Sequence, residues 1–84
     1  MRMELDVTET EAGIIREVVA ELNRASARFG NFGNGHEGYA VILEELDELW
    51  AEVKDKNSYP EIWDGEAKQV AAMAIRFMRD VCRK

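Results

Sequence analysis

Four carboxylates occupy five consecutive positions in Glu44-Glu45-Leu46-Asp47-Glu48, and Glu52 follows one helical turn later. Like charges three or four apart on a helix repel by about a few tenths of a kcal/mol per pair. A divalent cation relieves that repulsion; a solvated acidic face, the commoner fate of such a run, leaves it to water and salt. On a helical wheel at about 100° per residue with Ile42 at zero, Glu45, Glu52 and Glu48 fall at about 300°, 280° and 240°. These three line one edge of the apolar stripe, whereas Glu44 at about 200° and Asp47 at about 140° turn towards solvent.

A further acid lies on an apolar line. Glu66 falls at about 320° relative to Val70, inside the stripe formed by Val70, Met73, Phe77 and Val81. An unpaired buried carboxylate costs several kcal/mol or gives up its charge, so Glu66 in that position calls for a metal or a basic partner. A helix that starts later leaves it exposed. Gln69, Met73, Arg76 and Asp80 continue along the same flank. If the two segments pair as an antiparallel hairpin, the Glu44–Glu48 turn meets the Glu66–Gln69 turn, with Glu52 or Asp64 within range to contribute. Oxygen ligands without histidine favour Mg²⁺ or Mn²⁺ over zinc, and such sites hold their metals chiefly to bind phosphates.

The strings HEGYAVILEELDELWAEV and EAKQVAAMAIRFMRD resemble the all-α nucleoside triphosphate pyrophosphohydrolase superfamily, the MazG-like and dimeric dUTPase-like proteins, and more closely a group of small MazG-like proteins. That superfamily carries EExxE on one helix and ExxD on the next. Here the first motif, Glu44-Glu45-Leu46-Asp47-Glu48, is complete. After residues 49–65 the second reads Glu66-Ala67-Lys68-Gln69, with Gln in place of Asp. The likeness covers about residues 36 to 80, and the first helix matches only in being amphipathic.

The resemblance implies a MazG-like helical bundle completed by homo-oligomerisation, as a homodimer or a dimer of dimers. It also implies Mg²⁺, with Mn²⁺ as a substitute, and cleavage of a nucleoside triphosphate between its α and β phosphates to the monophosphate and pyrophosphate. Carried over residue by residue, Glu45, Glu48 and Glu66 are metal ligands and Gln69 is the altered fourth ligand. Glu44 is the accessory acid and the choice for general base, so Glu44 and Glu48 form the catalytic pair. An amide oxygen at Gln69 coordinates Mg²⁺ without charge or basicity, so a second metal binds less tightly. That leaves a second reading open, a non-catalytic helical oligomer or interaction module that keeps the fold and has lost turnover. Lys54 and Arg76, about two turns beyond Gln69, are the basic candidates for phosphate contact, although surface ion pairing is the commoner fate of such residues. Tyr39 and Trp63, with Phe32, are available to stack on a base, and each serves equally as a core or loop anchor.

The elements that must position these residues are helical, because apolar residues recur at three and four and not at two. A first helix is expected over about residues 8 to 28, with Thr8 and Glu11 in capping-box spacing and Ile15, Val18, Leu22, Ala25 and Phe29 on one stripe. FGNFGNGHEG then reads as a loop in which Asn34 caps the next helix. That helix is expected over about 36 to 56, with Ile42, Leu46, Leu49, Trp50 and Val53 inward. The third begins at Glu61 or Glu66, with Pro60 suited to its first turn, and runs to about residue 83. It has Val70, Met73, Ala74, Phe77 and Val81 inward, and Arg76, Arg79, Arg83 and Lys84 suit its dipole. Gly33-Asn34-Gly35-His36-Glu37-Gly38 matches G-x-G-x-x-G literally, but a helix precedes it where a dinucleotide fold needs a strand.

Eighty-four residues, 46% hydrophobic and 33% charged, describe a single all-α domain over residues 1–84 and exclude the large α/β folds. A core of this size sits near the lower limit of independent stability, which favours self-association. One cysteine, Cys82, and one histidine, His36, exclude an internal disulfide or a Cys/His zinc site. The formal charge of -6 is concentrated in residues 29–53, which hold six acids and no Lys or Arg. Such a field repels a nucleic-acid backbone. The start, MRMELDVTETE, lacks a basic and apolar leader, and no apolar run spans a membrane. A cytoplasmic location is therefore expected.

Overall fold

A computed structural model describes residues 4–83. The first helix, α1, spans Glu9–Phe29. Thr8 caps it reciprocally: Glu11 N donates to Thr8 Oγ1 at 3.1 Å, and Thr8 N donates to Glu11 Oε1 at 2.9 Å. It ends at Gly30, whose φ of 73° suits a residue without Cβ and whose N–H donates to Ser26 O at 3.0 Å. Asn34 caps α2 (Gly35–Val53), accepting from Glu37 N at 2.9 Å.

The second helix stops at Val53, short of the expected residue 56, because side chains draw the next residues into a turn. Asn57 N donates to Asp55 Oδ1 at 2.9 Å, Ser58 Oγ donates to Glu52 Oε1 at 3.0 Å, and Trp63 Nε1 donates to Glu52 O at 3.1 Å. The third helix, α3, spans Pro60–Phe77 with Pro60 in its first turn. Glu66 is therefore inside the helix. The chain continues as a π-helical turn, Met78–Cys82. Lys84, expected to favour the helix end, lies outside the described residues.

The helix α3 packs against both α1 and α2. Val18, Leu22 and Ala25 of α1, Phe32 of the loop, and Ala72 and Met73 of α3 are the buried apolar core, with Val41, Ile42, Phe77 and Val81 packed on it. Gly38 lets α2 approach α3 closely: a Cβ there would lie 2.6 Å from Phe77 Cδ2. The expectation that α2 buries Leu46, Trp50 and Val53 is corrected, since these are 48%, 59% and 40% exposed. One flank of α2 meets α3, and the opposite flank has no covering element among the described residues. Their radius of gyration, 14.0 Å, exceeds the ~12 Å of a compact chain this long. With extents of 42 × 34 × 20 Å, the chain is a flat slab. No helix of the described residues is long and apolar enough to cross a membrane.

Candidate metal centre and ligand cavity

The α2–α3 pairing brings Glu45, Glu48 and Glu66 together, each offering a carboxylate oxygen, with these atoms within 4.8 Å of one another. Glu45 and Glu66 are half-buried and Glu48 is exposed. Burial pushes the Glu45 carboxyl up to about 7, and the neighbouring charges of Glu48, Glu66 and Glu44 push it the same way. Burial likewise raises Glu66, helped by Glu48 and Glu52. Every charged group that moves these two acids is another acid. Such a set of oxygens, short of positive charge and without nitrogen or sulfur donors, fits a hard divalent cation.

The trio lines a cavity of about 650 Å³, together with Glu44, Glu37 and Gln69. The other walls hold Arg24, Arg28 and Phe29 from α1, Phe32 from the loop, and Met73 and Arg76 from α3. Carboxylates and guanidinium groups thus face one space, which suits a metal-bound polyanion. Beside the cavity Lys68 of α3 pairs with α1, its Nζ lying 2.9 Å from Glu17 Oε1.

Gln69 lies in the cavity wall, and its surroundings differ from those of the three acids. The Glu21 carboxyl of α1 is held below its ordinary value mainly by a hydrogen bond from Arg24, and the nearby Gln69 amide lowers it further. The amide therefore stands beside α1 while facing the cavity.

Arg76 is 3% exposed and lines the cavity. Its Nη2 donates to Gly30 O at 2.9 Å, its guanidinium lies 4.0 Å from the Phe32 ring centre, and its buried Nε has no hydrogen-bond partner. A buried donor left unpaired is costly and therefore open to an acceptor. Asp80, expected along the flank of Glu66, is buried beyond the cavity and holds the loop: Phe32 N donates to its Oδ2 at 3.0 Å and Arg79 Nε to its Oδ1 at 2.7 Å.

The remaining candidates fall elsewhere. Lys54 is the exposed cap residue of α2, Tyr39 is 62% exposed and off the cavity, and Trp63 anchors the α2–α3 turn. Trp63 is separated from the cavity because its indole is committed to Glu52 O, and Phe32 is a core residue rather than a free platform. Asp64 is exposed and 4.0 Å from Lys68, and Glu52 is bound by Ser58. His36 is exposed in the first turn of α2, and Asp47 is exposed outside the cavity. Sequence reasoning missed Arg24, Arg28 and Phe29, whose only signal was a basic and aromatic end to the first helix. No family model, curated protein or solved structure gives a significant match to this chain.

Proposed function

We propose that this chain is a Mg²⁺-dependent nucleoside triphosphate pyrophosphohydrolase that releases a monophosphate and pyrophosphate. The observation that carries the reading is the single cavity in which Glu45, Glu48 and Glu66 face Arg24, Arg28 and Arg76. Glu45, Glu48 and Glu66 would hold the metal, with Gln69 as a neutral fourth ligand when it turns from Glu21. Bound there, magnesium supplies positive charge against the triphosphate and against the charge that develops on pyrophosphate as it leaves. Arg76 offers its unpaired Nε–H to a phosphate oxygen, and Arg24 and Arg28 add charge at the mouth. Glu44, exposed and on the cavity wall, takes a proton from the attacking water.

The resemblance to the MazG-like group supports the same reading, as does the exposed apolar face. Leu46, Trp50 and Val53 on α2 and Ile14 and Val19 on α1 are 40% to 59% exposed, a surface that a second copy would cover in a homodimer or dimer of dimers. The acidic charge and the single exposed cysteine are consistent with a cytoplasmic protein.

A second reading has its own observation. Because the fourth position is an uncharged amide placed beside Glu21 of α1, it favours a helical oligomer that binds metal and has lost turnover. Pyrophosphate release from a panel of canonical and modified ribo- and deoxynucleoside triphosphates with Mg²⁺ or Mn²⁺ separates the two. The pyrophosphohydrolase reading expects turnover. Its absence with both metals, in a folded protein whose melting temperature Mg²⁺ still raises, selects the non-catalytic module.

A further inference from the structure

Tyr39 and Trp63 lie off the cavity that holds the three carboxylates, whereas Phe29 and Phe32 line it. The two phenylalanines differ in what is left of them. Phe32 is 3% exposed, with the Arg76 guanidinium 4.0 Å from its ring centre, so nothing further can stack on it. Phe29, the last residue of α1, is 64% exposed, and the Arg28 guanidinium lies 5.1 Å from its ring centre. Arg28 lines the same cavity and enters no ion pair among the described residues.

Phe29 thus presents to a charged cavity an aromatic ring that packing within the chain leaves uncovered. Its complement is a flat ring, since stacking on an aromatic face needs only a π surface, and an adjoining guanidinium strengthens the contact. The rest of the cavity selects anionic groups. Together these walls describe a planar ring carrying phosphates.

We infer that Phe29 and Arg28, at the C-terminal end of α1, form the nucleobase-recognition edge of the cavity. Phe29 stacks on the base and Arg28 flanks the stack, while the carboxylate trio and Arg76 hold the phosphate end. The inference rests on the nucleotide reading above and deepens it. The base is then held by α1, the helix that the motif likeness does not cover, and the α2–α3 pair serves any triphosphate.

Calorimetric titration of the full chain with Mg²⁺ and two kinds of probe tests this. The probes are the α,β-imido analogues of ATP and UTP, which carry a base, and inorganic tripolyphosphate, which does not. Phe29→Ala is expected to weaken both imido nucleotides by about 5- to 100-fold and to leave tripolyphosphate unchanged, with Phe29→Trp restoring the loss. An equal loss for all probes, no loss for the nucleotides, or no nucleotide binding by the wild type overturns the inference. Pyrophosphate release is measured separately, so the two failures are distinguishable. A protein that turns over but shows no base-dependent loss rejects Phe29 alone. A protein that shows the loss without turnover keeps Phe29 and rejects catalysis.

Discussion

In the first half of α3, Glu66 meets Glu45 and Glu48, and the acids raise one another, Glu45 to about 7. In the π-helical turn that follows the same helix, Asp80 is more deeply buried, at 6% exposed, yet its carboxyl is held below the ordinary value. Hydrogen bonds from Arg79 and from the Phe32 N–H outweigh the cost of its burial. Burial acts alike on both acids; the difference lies in their partners. A buried charge with donors contributes to stability, whereas a half-buried cluster of like charges costs stability until a cation joins it. One end of the molecule ties its acid into the fold, and the other leaves its acids facing one another.

Substitutions should therefore have opposite consequences at the two ends. The largest effect is expected for Asp80→Ala, which leaves the buried Phe32 N–H without an acceptor and frees the loop. Arg79 is 41% exposed at its side chain and can rehydrate, so the loss is about 3 kcal/mol. Urea unfolding measures it, and a change below about 1 kcal/mol would show that the Asp80 contacts hold nothing. At the other end, on the proposed pyrophosphohydrolase reading, Glu48→Gln is expected to lower turnover ~100-fold. The same substitution should leave the metal-free fold as stable or slightly more so, because it removes a like charge. Loss of stability comparable to that of Asp80→Ala would make Glu48 a structural residue and end the contrast.

Two glycines sharpen the comparison at smaller scale. A Cβ at Gly38 would lie 2.6 Å from Phe77 Cδ2 and 3.2 Å from Phe32 Cδ2. Gly38→Ala is therefore expected to cost about 1–3 kcal/mol through overpacking. Gly65, beside Glu66 in α3, has nothing within 4 Å of its Cβ position. Gly65→Ala should stabilise by about 0.5–1 kcal/mol through helix propensity alone. Thermal unfolding of the two variants with Mg²⁺ removed tests the pair, and a shared sign would show that packing does not differ between the two regions.

What was legible in the sequence follows the range of each interaction. The Thr8–Glu11 box and the Asn34 cap act over three residues, and both form as their spacing predicts. The meeting of Glu45, Glu48 and Glu66 follows from two helical wheels and one hairpin, so it too was readable. The burial of Phe32 was not, because its N–H is bound by Asp80 48 residues away. Nor was the burial of Arg76, an apparent helix-end cation that spans Gly30 O and the Phe32 ring. Arg24, Arg28 and Phe29 line the cavity only through the register of α1 on α3, which no local period encodes. The inward reading of Leu46, Trp50 and Val53 took an apolar stripe for a buried one. A stripe fixes which side of a helix avoids water, and whether this chain covers it depends on elements elsewhere.

The pH dependence of stability, comparable in size to the Gly65 effect, is the most direct probe of the difference, because the raised and lowered acids titrate with opposite signs. Glu45 is raised from 4.5 to about 7 and Glu66 is raised with it. Raised carboxyls contribute stability that is complete below the unfolded value of 4.5 and is lost as pH climbs through the folded value. For Glu45 that window is 4.5 to about 7. Asp80, lowered from 3.8 by Arg79, and Glu21, lowered from 4.5 by Arg24, act in reverse. Their contribution is complete above those values and is lost as pH falls through the lower folded ones. Metal-free protein in EDTA should thus be most stable near pH 4.5 and lose on the order of 1 kcal/mol by pH 7.5, about 4–8 °C in melting temperature. Excess Mg²⁺ should recover that loss at pH 7.5 and do little at pH 4.5, where protons already occupy the cluster. A melting temperature flat from pH 4.5 to 7.5 in EDTA would mean that the carboxylates do not confront one another in solution. Recovery by Mg²⁺ in wild type but not in Glu48→Gln would locate the cation among these three side chains.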